Sequence, residues 1–174
     1  MTIQNNKKLL YPKDFIRQVL IDELQDIVVK HPYLAFLLIC SGIEFLGKCI
    51  DTNKQEWNWD FKYQKDNPPF DNAIKNLFPK KYKKALEDYK LRDQLRNGLT
   101  HALAPKSKIG LSQLKHDENG EITMDNHPFE QEGGKLSLII EYFYIDFVDA
   151  CKKVLNMNFK KNDKMNKPFL SIPR

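Results

Sequence analysis

The stretch Leu91-Arg-Asp-Gln-Leu-Arg-Asn-Gly-Leu-Thr-His-Ala-Leu-Ala-Pro105 reads as the closing turns of a long helix. Leu95, Leu99 and Leu103 recur at a spacing of four, which lays an apolar stripe along one helix face. Upstream, Tyr82, Ala85, Leu86 and Tyr89 continue a buried face, so the spacing predicts one helix from Pro79 to about Leu103. Pro105 stops it. Gly98 costs about 1 kcal/mol relative to alanine inside a helix. It implies close approach of another helix or of a substrate, or else a tolerated imperfection. Arg92, Arg96, Asn97 and His101 are polar residues beside the apolar stripe.

Working towards the N-terminus, residues 71–78 read as a short helix with Asp71 as N-cap. Residues 51–70 carry Trp57, Trp59, Phe61, Tyr63 and a Pro68-Pro69 pair, the composition of a long loop whose aromatics pin it to the core or stack on bases. A helix from Pro12 or Lys13 to Lys30 follows from the spacing of Phe15, Val19 and Ile27. His31-Pro32 ends it, and a second, mostly apolar helix runs to about Ile50. So short a connection makes the two an antiparallel hairpin.

Working towards the C-terminus, the pattern changes. Asp117-Glu118-Asn119-Gly120 is a turn signal between β-prone pieces, 109–114 and 121–124, which predicts a small hairpin. Gly133-Gly134 precedes a third short strand over 135–140. A last helix to about Leu155 has Phe143, Phe147, Val148 and Cys151 facing the core. The basic tail, 156–174, is expected to carry little regular structure, with Phe169 and Leu170 able to dock. The sum is an all-α fold: one domain over 1–174, a bundle of four to five main helices with a β-hairpin insert at 107–135.

Length and composition are those of a soluble domain with a real core. Residues 1–8 are polar and have no signal-peptide h-region, and the apolar run from Tyr33 to Ile43 is too short to span a bilayer. Cys40, Cys49 and Cys151 are odd in number and lie on apolar helical segments, which suits buried thiols in a reducing compartment. The expectation is therefore a cytoplasmic protein without a membrane partner. Net charge is +5. Lys80, Lys81, Lys83 and Lys84 cluster, as do Lys160, Lys161, Lys164 and Lys167. Such clusters fit RNA or simple solubility.

Arginine usage says more. The chain has four arginines, and two of them, Arg92 and Arg96, stand one helical turn apart beside His101. Guanidinium groups match phosphate oxygens bidentately. Histidine moves a proton near neutral pH. RNA cleavage by its own 2′-hydroxyl needs a base, an acid and cationic donors at the phosphorus oxygens. His101 fits the base or the acid, Arg96 the charge stabiliser, Asn97 an orienting group and Arg92 a further phosphate contact. One histidine does not serve as both acid and base at once, so a second copy of the chain would complete the site.

Arg96-Asn97-x-x-x-His101, with four residues between arginine and histidine on a helix in an all-α context, resembles the signature of HEPN domains, the higher-eukaryote and prokaryote nucleotide-binding superfamily. The segment from Ser41 to Lys48 is similar to the second helix of many such domains, where an acidic residue faces the site; Glu44 is its counterpart. The resemblance covers roughly 12–104 and 136–156. It implies a metal-independent endoribonuclease, a hydrolase working without cofactor as a homodimer, with Arg96, Asn97 and His101 catalytic and Arg92 and Glu44 contacting RNA. Many members belong to toxin–antitoxin or phage-defence systems, which implies an antitoxin protein as a possible partner. Others have lost catalysis and only bind RNA, a nucleotide or a protein.

Structural alternatives stand beside each assignment. His101 could cap a helix end, and Glu44 could pair with Lys48 one turn away. His31 reads as a helix-end residue. His116 and His127 lie in the insert without metal-ligand spacing, and no metal is expected. No Walker-type glycine loop or serine nucleophile motif occurs.

Overall fold

The computed structural model describes residues 7–51, 57, 68–114, 127–131 and 133–173. Within these, six helical runs form the body, and five short strands make two small sheets. Helix α1 covers residues 12–30 and widens into π-helical turns over Ile16–Glu23. After the single residue His31, α2 runs Pro32–Cys49. Helices α3 (Pro69–Leu77) and α4 (Lys80–Asp88) follow. Helix α5 covers 92–102, and α6 is Ile140–Leu155.

Proline opens α1, α2 and α3 at the first helical turn, where its missing N–H costs nothing. The α1–α2 pair is an antiparallel hairpin: with His31 at the bend, the Phe15 and Phe45 rings meet at 5.0 Å. Helix α2 is the centre of the molecule. By length and composition it could cross a membrane, but ten of its eighteen residues are buried against other helices, so it is a core helix. Gly47 lets α3 cross it: a Cβ there would lie 1.8 Å from the Pro69 carbonyl oxygen. Gly42 similarly seats the Phe147 ring of α6.

Three expectations need correction. The helix expected from Pro79 to Leu103 is broken at Tyr89-Lys90, where Lys90 takes the left-handed conformation at φ 51°. Leu91, Leu95 and Leu99 are buried, but Leu103 is left-handed and two-thirds exposed. Asp71 is not the cap of α3, since Pro68 holds that place; Asp71 lies in the first turn, and its carboxylate faces Arg92.

The strands also differ from the expected hairpin. Strand β2 (Ile109–Ser112) pairs in parallel with β4 (Lys135–Ile139), and β3 (Phe129–Gln131) pairs antiparallel on the other side of β4. The tight turn between β3 and β4 uses Gly133 and Gly134, both at positive φ. The segment 121–124 lies outside the described residues, as do Trp59, Phe61 and Tyr63. The tail is more ordered than its composition suggests. Strand β5 (Leu170–Pro173) pairs antiparallel with β1 (Lys7–Leu10), a 3₁₀ turn at Lys164–Asn166 is capped by Asp163, and Phe169 packs on Phe15, Phe45 and Trp57. Lys164, one of the tail's basic cluster, is buried and donates to the Asp51 carbonyl at 2.7 Å.

Candidate functional site

Arg96 sits in a π-helical turn, Arg92–Asn97, at the start of α5. Such turns are uncommon and concentrate at functional positions. The wider turn leaves the Gln94 carbonyl to accept from the Lys106 N–H at 2.7 Å, which folds the chain back after the helix. Gly98 exists for that return. A Cβ there would stand 2.5 Å from the Ala104 carbonyl oxygen and 3.0 Å from Pro105 Cα. The glycine thus admits the chain's own backbone, not a second helix or a substrate.

The Arg96 guanidinium reaches across to α2. Its Nε and Nη2 donate to Glu44 Oε2 at 3.1 and 2.7 Å, and Nη1 donates to Asn97 Oδ1 at 2.9 Å. The pair is partly buried, with the Arg96 side chain 21% and the Glu44 side chain 28% exposed. Asn97 Nδ2 is 3.5 Å from Asp93 Oδ1, which also accepts from Lys106 Nζ at 2.6 Å. The Lys106 contact holds the Asp93 carboxyl below its ordinary range. Glu44 therefore engages Arg96 across 52 residues of sequence. Thr100 Oγ1 donates to the Arg96 carbonyl.

His101 lies on α5, one turn after Asn97 and on the same face. It is exposed and makes no side-chain hydrogen bond among the described residues. Arg92 does not join Arg96. It turns to Asp71 of α3, Nε to Oδ1 3.5 Å, where burial pushes the Asp71 carboxyl up and the arginine's charge opposes that shift. The two arginines thus serve different carboxylates.

Beside the Arg96–Glu44 pair runs a groove of about 490 Å³. Helix α1 contributes Phe15, Val19, Leu20, Leu24 and Ile27 to it, and α2 contributes Leu38, Gly42 and Phe45. Phe169 and Leu170 of the tail close one side. Its polar lining consists of Glu23, Ser41, Glu44, Lys48, Arg96 and Thr100.

A second polar cluster lies elsewhere and carries no sequence signature. His127 Nδ1 accepts from the Ile139 N–H at 3.0 Å, so its proton is on Nε2, which is 2.6 Å from Tyr82 Oη. Tyr82 donates on to Asp146 Oδ2 at 2.8 Å, and Lys81 Nζ meets the same oxygen at 2.7 Å. Burial, then the charge of Lys81, pulls His127 down to about 4. Burial, then Asp146, raises Tyr82 well above its ordinary value. Tyr82 reads from the sequence as a core residue, and nothing in its spacing announces partners 45 and 64 positions away.

The three thiols are free and buried, and burial raises each thiol pKa far above its ordinary value. Among the described residues no three His, Cys, Asp or Glu side chains converge to hold a metal ion. His116 lies outside the described residues.

The fold and site together define a mainly helical bundle with a cross-helix arginine–glutamate pair, and an exposed histidine five residues further along the arginine's helix. No family model, no curated protein and no solved structure matches the chain.

Proposed function

We propose that the chain is a metal-independent endoribonuclease of HEPN type, acting in the cytoplasm as a homodimer within a toxin–antitoxin or phage-defence system. The observation that carries the proposal is the fixed guanidinium of Arg96, held by Glu44 and by Asn97, with the exposed His101 one turn after Asn97 on the same helix. Of its five N–H bonds, three are engaged in these contacts, which leaves two for phosphate oxygens. In the reaction the ribose 2′-oxygen bonds to phosphorus as the bond to the 5′-oxygen breaks. His101 takes the hydroxyl proton or supplies one to the leaving oxygen, and Arg96 neutralises charge growing on the phosphorus oxygens. The second proton transfer falls to His101 of a second copy. Support for pairing comes from the exposed apolar surface by the motif: Val29, Tyr33, Leu34 and Leu103 are 78%, 51%, 46% and 67% exposed. The Tyr33 hydroxyl donates to the Leu103 carbonyl, which joins the α1–α2 bend to the end of α5.

Glu44 serves as a positioning residue for Arg96. Arg92, committed to Asp71, supports the packing of α3 on α5 and, at most, the margin of an RNA path.

The competing reading is a non-catalytic module that binds RNA, a nucleotide or a protein such as an antitoxin. One observation favours it: the charge of Arg96 is already compensated by Glu44. Cleavage of single-stranded RNA in the presence of a chelator separates the two. The enzyme reading predicts that Arg96→Ala and His101→Ala each lower the rate by at least about 100-fold, in the range of losing a general acid–base group or an electrostatic donor. Glu44→Gln, which keeps an oxygen acceptor, falls between them and wild type. Equal cleavage by all the proteins removes the enzyme; binding without cleavage installs the module.

A further inference from the structure

The apolar groove beside Arg96 has a ligand chemistry of its own. At about 490 Å³ it is within the range of small-ligand sites. Its four charged side chains, Glu23, Glu44, Lys48 and Arg96, sum to zero, so the groove as a whole does not call for an anion. Its walls are apolar, and its polar atoms lie with the hydroxyls of Ser41 and Thr100 and these four charged side chains, of which Arg96 and Glu44 are paired. A flat uncharged group with apolar faces and a hydrogen-bonding edge matches that lining. Three aromatic rings, Phe15, Phe45 and Phe169, cluster within it at centroid distances of 5.0 to 5.3 Å. The groove is continuous with the guanidinium assigned above to a phosphate, since Arg96 lines both.

We propose that this groove takes one unpaired nucleobase of a single-stranded RNA, the base next to the phosphate held by Arg96. This rests on the RNA reading of the Arg96 site and deepens it. The division of labour is physical: Arg96 positions the backbone, and the α1–α2 groove takes the base out of the stack. Aromatic and apolar walls hold any base by its faces. The Ser41 and Thr100 hydroxyls give their protons to the Leu37 and Arg96 carbonyls, so their oxygens act as acceptors and favour a base edge that carries an N–H donor.

The test measures binding of two labelled strands, both 2′-O-methylated so that neither can be cleaved by its own hydroxyl. One is a short single-stranded RNA of mixed sequence; the other is the same backbone without bases. Wild type is expected to prefer the base-bearing strand by about tenfold or more, the scale of one stacked base. Val19→Trp fills the groove and should lower affinity for that strand to the abasic level. Leu38→Gln makes its wall polar and should act in the same direction; both positions are half-buried, so two variants guard against loss of folding at either. Arg96→Ala should weaken both strands alike. If both groove variants keep the wild-type preference while Arg96→Ala weakens both strands, the groove belongs to something else, such as a helix of a protein partner, and the assignment is overturned with the Arg96 reading intact. If wild type binds neither strand and Arg96→Ala cleaves as wild type does, both fall.

Discussion

Arg96 and Gly98 illustrate how neighbouring residues answer to different constraints. Arg96 is fixed by groups on two helices, so its open N–H bonds point in set directions and little side-chain entropy remains to lose on meeting a ligand. Gly98 answers to packing. Replacing a solvent-facing helix glycine by alanine stabilises by about 1 kcal/mol. Here the added methyl would meet the Ala104 carbonyl, a backbone atom that cannot rotate away. Overpacking of this kind costs about 1–3 kcal/mol, and the Lys106–Gln94 bond that closes the return would be strained with it. Gly98→Ala is therefore expected to destabilise by about 1–2 kcal/mol in urea unfolding. A rise in stability would mean that residues 104–106 do not fold back on α5.

At the scale of elements, the break between α4 and α5 makes a prediction of its own. Lys90 holds φ 51°, a conformation that costs a side-chain-bearing residue about 1 kcal/mol or more. Glycine relieves that strain but loses more backbone freedom on folding. Lys90→Gly should raise stability by about 0.5–1 kcal/mol, read from the unfolding midpoint at unchanged slope. The same break shows what a sequence makes legible. Helices α1, α2 and α6 follow from proline punctuation and apolar spacing, which are local. The break at Tyr89-Lys90 leaves the spacing of apolar residues nearly unaltered, so periodicity runs through it. The parallel pairing of β2 with β4 joins residues 27 apart and depends on which strand covers which, not on any turn signal. The site divides the same way. Arg96, Asn97 and His101 stand out because they are close in sequence, and Glu44 through its likeness to a helix of a known superfamily. That Arg92 faces Asp71, and that an apolar groove borders Arg96, follow only from the packing of α1, α2 and α3.

Among the described residues, the whole molecule's acid sensitivity should centre on one partly buried histidine, His127. The groups facing His127 are the Tyr82 hydroxyl, the Asp146 carboxylate and Lys81 behind it, the Ile139 N–H, and the rings of Tyr142 and Phe143. Neutral His127 satisfies this setting with one acceptor and one donor. A second proton would sit on Nδ1, against the Ile139 N–H. Burial and Lys81 accordingly pull the folded value down to about 4, from 6.5 for the free side chain. Because the unfolded chain takes up the proton first, its share of stability is present above pH 6.5 and is lost as pH falls towards 4. The loss is about 3 kcal/mol at most. Asp71, with its folded value raised, contributes in the opposite sense, gaining as pH falls through the carboxylate range. Asp93, with its value lowered, adds a further loss only below its unfolded pKa of about 3.8. Of these three described groups, His127 is the one whose stability contribution is lost between pH 4 and 6.5. His127→Asn offers an oxygen to the Ile139 N–H but has no proton to gain. Unfolding free energies measured across that window should fall steeply with acid for wild type and stay nearly flat for the variant, even if the variant is less stable at pH 7. Parallel slopes for the two proteins would place the acid-sensitive group elsewhere and break the link between the β4 edge, Tyr82 and Asp146.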